Sequence, residues 1–365
     1  MCEPAGPSGL SRSIKRAHME KLASWRREKY LHPELRRIFI EVTGSCNERC
    51  LHCGSRCEPG ASPEVPSPLL LKTLGRVRDE CDISRMMLCI TGGEPLLRAD
   101  FFDLMAAAAD MGFAWGMTTN GTLITPQVAR RLADCGMRTV SVSVDGLAAT
   151  HDAFRSRTGS HDEALRGAAN LLDVDAFGHV QVTTVVHRGN IGELDEMFEE
   201  LDALPLDSWR LTAIEPIGRA LEHPELMLRD DDYRRMFDFV RDMRAAGVPV
   251  VYGCCHYLGV DYEREVRDAY FLCNAGIYIA SIMTNGDIGS CLDIERRAET
   301  IFGNVYRDDF VEVWRTRFES LRREPASLDE RCSGCDERDF CAGGSWHSFD
   351  FAAQRQRVCM QNILF

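Results

Sequence analysis

Between Ile38 and Glu58 the chain reads IFIEVTGSCNERCLHCGSRCE, and three cysteines fall there as Cys46-x3-Cys50-x2-Cys53. Ile38, Ile40 and Val42 alternate with polar residues, the period of a strand with one buried face, and a Gly-Ser turn closes the run. A strand that delivers three thiolates to one loop can hold three irons of a cubane cluster and leave the fourth iron without a protein ligand. The same thiolates suit zinc only with a fourth ligand in a closed tetrahedron, which Cys57 could supply. On this loop alone both metals stay open.

Composition narrows the setting. A net charge of −13 argues against a general nucleic-acid or anionic-membrane binder. The longest apolar stretch, Phe101–Met117, is interrupted by Asp103 and Asp110, so no membrane span is expected. The N-terminus carries charge where a signal peptide needs an apolar run, and a cytoplasmic protein is expected. Sixteen cysteines in such a chain, clustered rather than spread as a disulfide framework, point to metal.

The chain divides into four expected parts: residues 1–36, a tail and basic helix; 37–217, alternating strands and helices; 218–269, a bridging segment; and 270–365, short strands, turns and cysteines. In Ser13–Tyr30, Ile14, Leu22 and Trp25 share one helical face among many basic residues. That helix either plugs one end of the main domain or offers a docking surface for an acidic partner. Strands are expected at Ile38–Thr43, Met86–Thr91, Ala114–Thr119, Thr139–Asp145, Val180–Val186 and Trp209–Glu215. Helices are expected at Pro68–Cys81, Ala99–Met111, Pro126–Cys135, His161–Leu172 and Ile191–Leu204, with Ser67-Pro68 and Thr125-Pro126 as start signals. Six strands joined by five helices imply parallel pairing through right-handed crossovers, too few for a closed eight-stranded barrel. The expected fold class is therefore α/β: an open partial (β/α)6 barrel of the TIM type, followed by a cysteine-rich domain. Asp230–Ala246 reads as a helix, Val248–Tyr252 as a short strand, and Ile277–Leu292 as a hairpin with Asn285-Gly286 at its tip.

In such a sheet function collects at the carboxyl ends of the strands. In the fourth strand Val140, Val142 and Val144 suit a face packed under helices, whereas Ser141, Ser143 and Asp145 suit the barrel interior and imply a polar ligand. Thr91-Gly92-Gly93-Glu94-Pro95 lies between a strand and a helix; its glycines permit close backbone approach and Glu94 can accept bonds from an ammonium. Alone it is as well read as a turn. Behind Cys46-x3-Cys50-x2-Cys53 it acquires a partner, and the two motifs together resemble the radical S-adenosylmethionine (SAM) superfamily over residues 38 to 215.

That resemblance implies that Cys46, Cys50 and Cys53 bind a 4Fe–4S cluster whose open iron is chelated by SAM, and that reductive cleavage of SAM yields a 5′-deoxyadenosyl radical. It assigns Gly92, Gly93 and Glu94 to the SAM methionine group, and Ser143 and Asp145 to the ribose and its surroundings. Thr118 and Asn120, in Met117-Thr-Thr-Asn-Gly-Thr122, are SAM contacts or simply turn formers. Arg155 or Arg157 either pairs with the SAM carboxylate or is a solvated loop arginine.

Farther on, Cys273, Gly286-x4-Cys291, Cys332-x2-Cys335-x5-Cys341 and Cys359 closely resemble the SPASM domain, an auxiliary iron–sulfur extension of peptide- and protein-modifying radical SAM enzymes. Zinc is the alternative reading of these thiolates. Cys332, Cys335, Cys341 and Cys359 map to a complete second auxiliary cluster. Cys273 and Cys291 map to the first, but Ser345 stands where the family has a further cysteine. The first site then takes a thiolate from Cys254 or Cys255, has an open iron, holds a smaller cluster, or is absent. Cys254 or Cys255 could instead return a hydrogen atom to a substrate radical, and Asp293 is either a general base or an exposed turn residue. Cys2, Cys57, Cys81, Cys89 and Cys135 read as small buried residues or surface thiols.

The implied activity is hydrogen abstraction from a peptide or protein, most concretely a ribosomally made peptide, ending in cross-linking or oxidation. Epimerisation, a sugar or other small metabolite as substrate, and a non-enzymatic electron carrier are the alternatives. The implied cofactors are the radical SAM cluster, SAM and one or two auxiliary clusters, with a reductant such as flavodoxin or ferredoxin as partner.

Overall fold

The computed structural model describes residues 11–60, 62–253 and 256–364. Strands β1 (Arg37–Glu41), β2 (Met87–Thr91), β3 (Ala114–Thr119), β4 (Met137–Ser143), β5 (His179–Val186), β6 (Ser208–Ala213) and β7 (Val250–Tyr252) lie side by side in chain order. All these neighbours pair in parallel. Helix α1 (Arg12–Leu31) precedes them. The crossovers carry α2 (Ser67–Glu80), α3 (Phe101–Asp110), α4 (Pro126–Asp134), α5 (Ala148–Arg155), α6 (Ser160–Leu172), α7 (Leu194–Leu201) and α8 (Asp230–Ala245).

The six expected strands are present, but the sheet does not stop at them. It is ten-stranded, because β7 extends one edge and β8 (Ile279–Ile282), β9 (Asp287–Gly289) and β10 (Gly303–Asn304) extend the other. β8 pairs in parallel with β1, and β9 and β10 add antiparallel strands. Ala280 and Ile282 are fully apolar and buried there, so the hairpin completes the core instead of forming a free-standing unit. Helix α5 also departs from the expectation. Its sequence, AATHDAFR, has no long apolar period, and what holds it is tertiary: His151, Phe154 and Arg155 are all buried.

The core lies between the sheet and its helices. Val140, Val142 and Val144 are buried on the outer face of the fourth strand segment, as their alternation requires. On the opposite face the Ser141 and Thr183 hydroxyls meet at 2.7 Å. Among the described residues no helix is long and apolar enough to cross a membrane.

Helix α1 packs on the C-terminal half, and its Trp25 and Tyr30 also lie, with Phe39 of β1, against the apolar cluster that contains Ile279 of β8. It buries Met19, Ala23 and Arg26, and Met19 packs with Tyr257, Val260, Phe271 and Phe340 of the C-terminal half. Arg26 donates to the carbonyls of Asp339 and Phe340 at 2.6 and 2.8 Å and faces Glu324 at 3.3 Å. The basic face meets acid at one end, where Lys15 is 3.3 Å from Glu265.

Candidate active site

The site is assembled from loops just past the carboxyl ends of β1 to β4. After β1 the chain turns into the cysteine loop, and the backbone after β2 runs alongside it. Gly93 N–H donates to Thr43 O at 2.7 Å and Glu94 N–H to Ser45 O at 2.9 Å. Both glycines are required at this approach. A Cβ on Gly92, whose φ is +144°, would stand 2.2 Å from Thr43 O, and one on Gly93 2.1 Å from Ser45 O. The glycine pair thus presses Glu94 against the backbone that carries Cys46.

Glu94 is completely buried. Thr119 Oγ1 lies 2.9 Å from each carboxylate oxygen, Asn120 N–H donates at 2.9 Å and Leu96 N–H at 3.3 Å. Burial raises its pKa to about 7 against the pull of these donors. Sequence reading offered Thr118 and Asn120 as SAM contacts or turn formers. The structure gives the carboxylate contact to Thr119, because successive strand residues face opposite ways and Thr118 is exposed. Asn120 contributes its backbone N–H, while its side chain donates to Asn47 Oδ1 at 2.7 Å and so ties β3 to the cysteine loop.

Cys46, Cys50 and Cys53 share this loop, with Cys46 buried and the other two partly so. Burial raises the thiols of Cys46, to about 11, and of Cys50, and each is raised further by neighbouring thiols of the set. Cys53 is pulled down to about 6, chiefly by a bond from the Cys57 side chain. Three thiols close enough to act on one another, next to a buried carboxylate, fit a cluster with three protein ligands. Arg219 holds the far side of the loop, donating from Nε to Cys50 O at 2.9 Å and from Nη2 to Cys57 O at 2.5 Å.

Beneath the loop is a buried charge network that the sequence did not reveal. Arg155 donates to Asp145 Oδ2 from Nε at 2.9 Å and Nη2 at 2.7 Å, and from Nη1 to Glu48 at 2.9 Å. Ser160 donates to the other Glu48 oxygen, and Asp145 Oδ1 accepts from Val185 N–H at 2.7 Å. Burial opposes ionisation of Asp145, yet Arg155, with His52 and His151, holds its carboxyl down at about 2. The arginine expected at a SAM carboxylate is therefore committed to two carboxylates of the protein, and Asp145 is engaged by Arg155 rather than turned to the lumen. Arg157 pairs with Glu163 at 2.6 Å. Ser143, one residue before the turn, is partly buried on the inner face of β4. Glu48 and Thr119 are unassigned positions within the cysteine and Met117–Thr122 motifs, and Arg219 belongs to none; each acts through a partner distant in sequence.

In the C-terminal part Cys332, Cys335, Cys341 and Cys359 come together, with Cys359 exposed. Burial pushes the Cys332 thiol up to about 11, with Cys335 and Cys359 adding to the shift, and the Cys341 thiol up to about 12, with Cys359 and Cys332 adding to it. Four thiols gathered around Cys332 fit a second auxiliary cluster. Cys273 accepts from Trp346 N–H at 3.5 Å, and the Cys291 thiol lies 3.7 Å from Asp293 Oδ2. Cys254 and Cys255 lie outside the described residues.

Residues 40–202 match the radical SAM superfamily and residues 273–336 match SPASM, the iron–sulfur cluster-binding domain. The chain belongs to the radical SAM superfamily and carries a SPASM domain, and it is an enzyme that uses a 4Fe–4S cluster, SAM and auxiliary iron–sulfur chemistry. It is 31% identical to the mycofactocin maturase MftC of Mycobacterium tuberculosis over 311 residues, 83% of this chain and 76% of that one. It is 28% identical to the AdoMet-dependent heme synthase of Nitratidesulfovibrio vulgaris over 333 residues, 85% of this chain and 87% of that one. The fold is shared with Streptococcus suis SuiB bound to S-adenosylmethionine, at a TM-score of 0.69 and 18% identity, covering 90% of this chain and 77% of SuiB.

Proposed function

We propose that this enzyme abstracts a hydrogen atom from a peptide or protein substrate and completes a net oxidation or cross-link. Cys46, Cys50 and Cys53 would hold the cluster, which with bound SAM supplies the 5′-deoxyadenosyl radical. Glu94, kept in place by Thr119 and Asn120, would accept from the methionine ammonium. Asp145, Arg155 and Glu48 would hold the cysteine loop still, so that the protein's part is aim and exclusion of water. A flavodoxin or ferredoxin would supply the electron. The observation that carries the peptide reading is the likeness to a maturase at 31% identity across most of both chains.

A second reading has its own support. The heme synthase relative matches 85% of this chain, which favours a small-molecule precursor of heme as substrate. Anaerobic turnover with reductant separates these. Release of 5′-deoxyadenosine together with hydrogen loss from a co-expressed peptide encoded beside the enzyme supports the first reading. Turnover of a tetrapyrrole precursor with no change in any such peptide supports the second. A peptide product of unchanged mass that has gained solvent deuterium would replace oxidation by epimerisation, with Cys254 or Cys255 as hydrogen donor.

A further inference from the structure

We propose that Cys291, Asp293 and His347 bind a single divalent metal ion, of the zinc or iron(II) class, where a SPASM domain would otherwise carry its first auxiliary cluster. One ligand atom from each of the three residues lies within 4.8 Å of the others. The Cys291 sulfur and Asp293 Oδ2 are 3.7 Å apart. Bonds of about 2.0–2.3 Å in a tetrahedron place ligand atoms about 3.3–3.8 Å from one another, so the trio needs only a small closure to share one ion. A cubane spreads its ligands, because each thiolate binds a different iron. The donor set of thiolate, imidazole and carboxylate is one that borderline divalent ions accept and that a four-thiolate cluster site does not use.

The loop that brings His347 here explains the missing cysteine. After the helical turn Arg338–Cys341, Ala342, Gly343 and Gly344 all have positive φ and reverse the chain. A Cβ on Gly343 would lie 2.1 Å from Ala326 N, so this reversal needs glycine. Ser345 is then fully buried, with its carbonyl accepting from Gln356 Nε2 at 2.9 Å and its hydroxyl 3.4 Å from Ser348 Oγ. It is occupied inside a polar network and offers no thiolate. Two residues on, His347 is 3% exposed and its Nδ1 has no hydrogen-bond partner among the described residues. That atom's hydrogen bonding therefore does not account for a buried imidazole at this point.

Asp293 is exposed while Cys291 and His347 are buried, so the trio is closed on the protein side and open on one other. A fourth position on that side suits water or an anionic oxygen of a substrate, the open coordination of a reactive rather than a structural site. This assignment holds for either substrate reading above.

Metal and sulfide analysis of the full-length protein, purified and reconstituted anaerobically, tests it. The expected result is about eight cluster irons with matching sulfide, for two cubanes, plus about one further zinc or iron per chain without sulfide. His347→Gln and Asp293→Asn should each remove most of the extra ion and leave the sulfide unchanged; Asp293 is exposed, so its variant separates ligand loss from misfolding. Cobalt(II) loaded into the extra site should give a thiolate charge-transfer band that Cys291→Ser abolishes. Iron and sulfide both near twelve in the wild type, no ion beyond the two clusters, or an extra ion indifferent to both the His347 and the Asp293 variants would each overturn the assignment.

Discussion

Arg155 grips Asp145 through two nitrogens of one guanidinium, Nε at 2.9 Å and Nη2 at 2.7 Å to the same carboxylate oxygen, with both side chains buried. The third nitrogen reaches Glu48, inside the cysteine loop. A residue of α5 thus links the end of β4 to the segment that carries Cys46 and Cys50.

Removing that arginine leaves two buried carboxylates without their cation. Arg155→Ala should cost about 3–5 kcal/mol of stability, read as a loss of denaturant midpoint, and should release iron from the first cluster faster than from the C-terminal one. Arg155→Lys keeps the charge but cannot span both carboxylates in the same plane, so it should recover only part of the loss. Wild-type iron retention in Arg155→Ala would show that the network does not support the loop.

Gly93→Ala tests the approach of the two backbones. Its Cβ would fall 2.1 Å from Ser45 O, against a main-chain atom that cannot swing aside. Overpacking of this kind costs about 1–3 kcal/mol, and the larger effect should be on SAM affinity, since Glu94 is pushed away from the cysteine loop. Titration of SAM into reconstituted protein should show at least a tenfold weaker Kd while the iron content stays close to wild type.

Glu94 carries a pH dependence. Its pKa is raised by burial from the usual 4.5 to about 7, so the folded protein holds this proton where an unfolded chain has released it. Stability contributed by the group therefore falls as pH rises through that window. Binding an ammonium requires the carboxylate, so SAM affinity should move the other way and weaken about tenfold between pH 8 and pH 6. Glu94→Gln should bind more weakly throughout and lose this slope; the same slope in the variant would assign it to another group.

Arg26 couples α1 to the auxiliary cluster region, because it donates to the carbonyls of Asp339 and Phe340, directly before Cys341. Arg26→Met keeps the aliphatic packing and removes these charged hydrogen bonds, at about 1.5–3 kcal/mol each when buried. The C-terminal iron should then exchange with a chelator several-fold faster, with the radical SAM cluster unaffected. Equal exchange from both clusters would mean that α1 acts only on global stability.

The two cysteine motifs, the glycine pair and the alternation of Val140, Val142 and Val144 were legible without coordinates, because each is local. Thiolate spacing sets what one loop can ligate, and a two-residue period sets which face of a strand is buried. The six central strands followed from the same periodicity. What tertiary structure alone decided is everything carried by partners far apart in sequence. β8 adds to β1 across 237 residues of intervening chain and makes the barrel sheet continuous with the cysteine-rich part. Thr119 rather than Thr118 meets Glu94, because the register of β3 against β2 settles which hydroxyl points at the carboxylate. Arg155 is held by Asp145 and Glu48, and Glu48 stands 107 residues away from it. Such pairings depend on low-dielectric burial that no window of sequence encodes: a charge becomes structural only when the fold removes water and supplies its counter-charge.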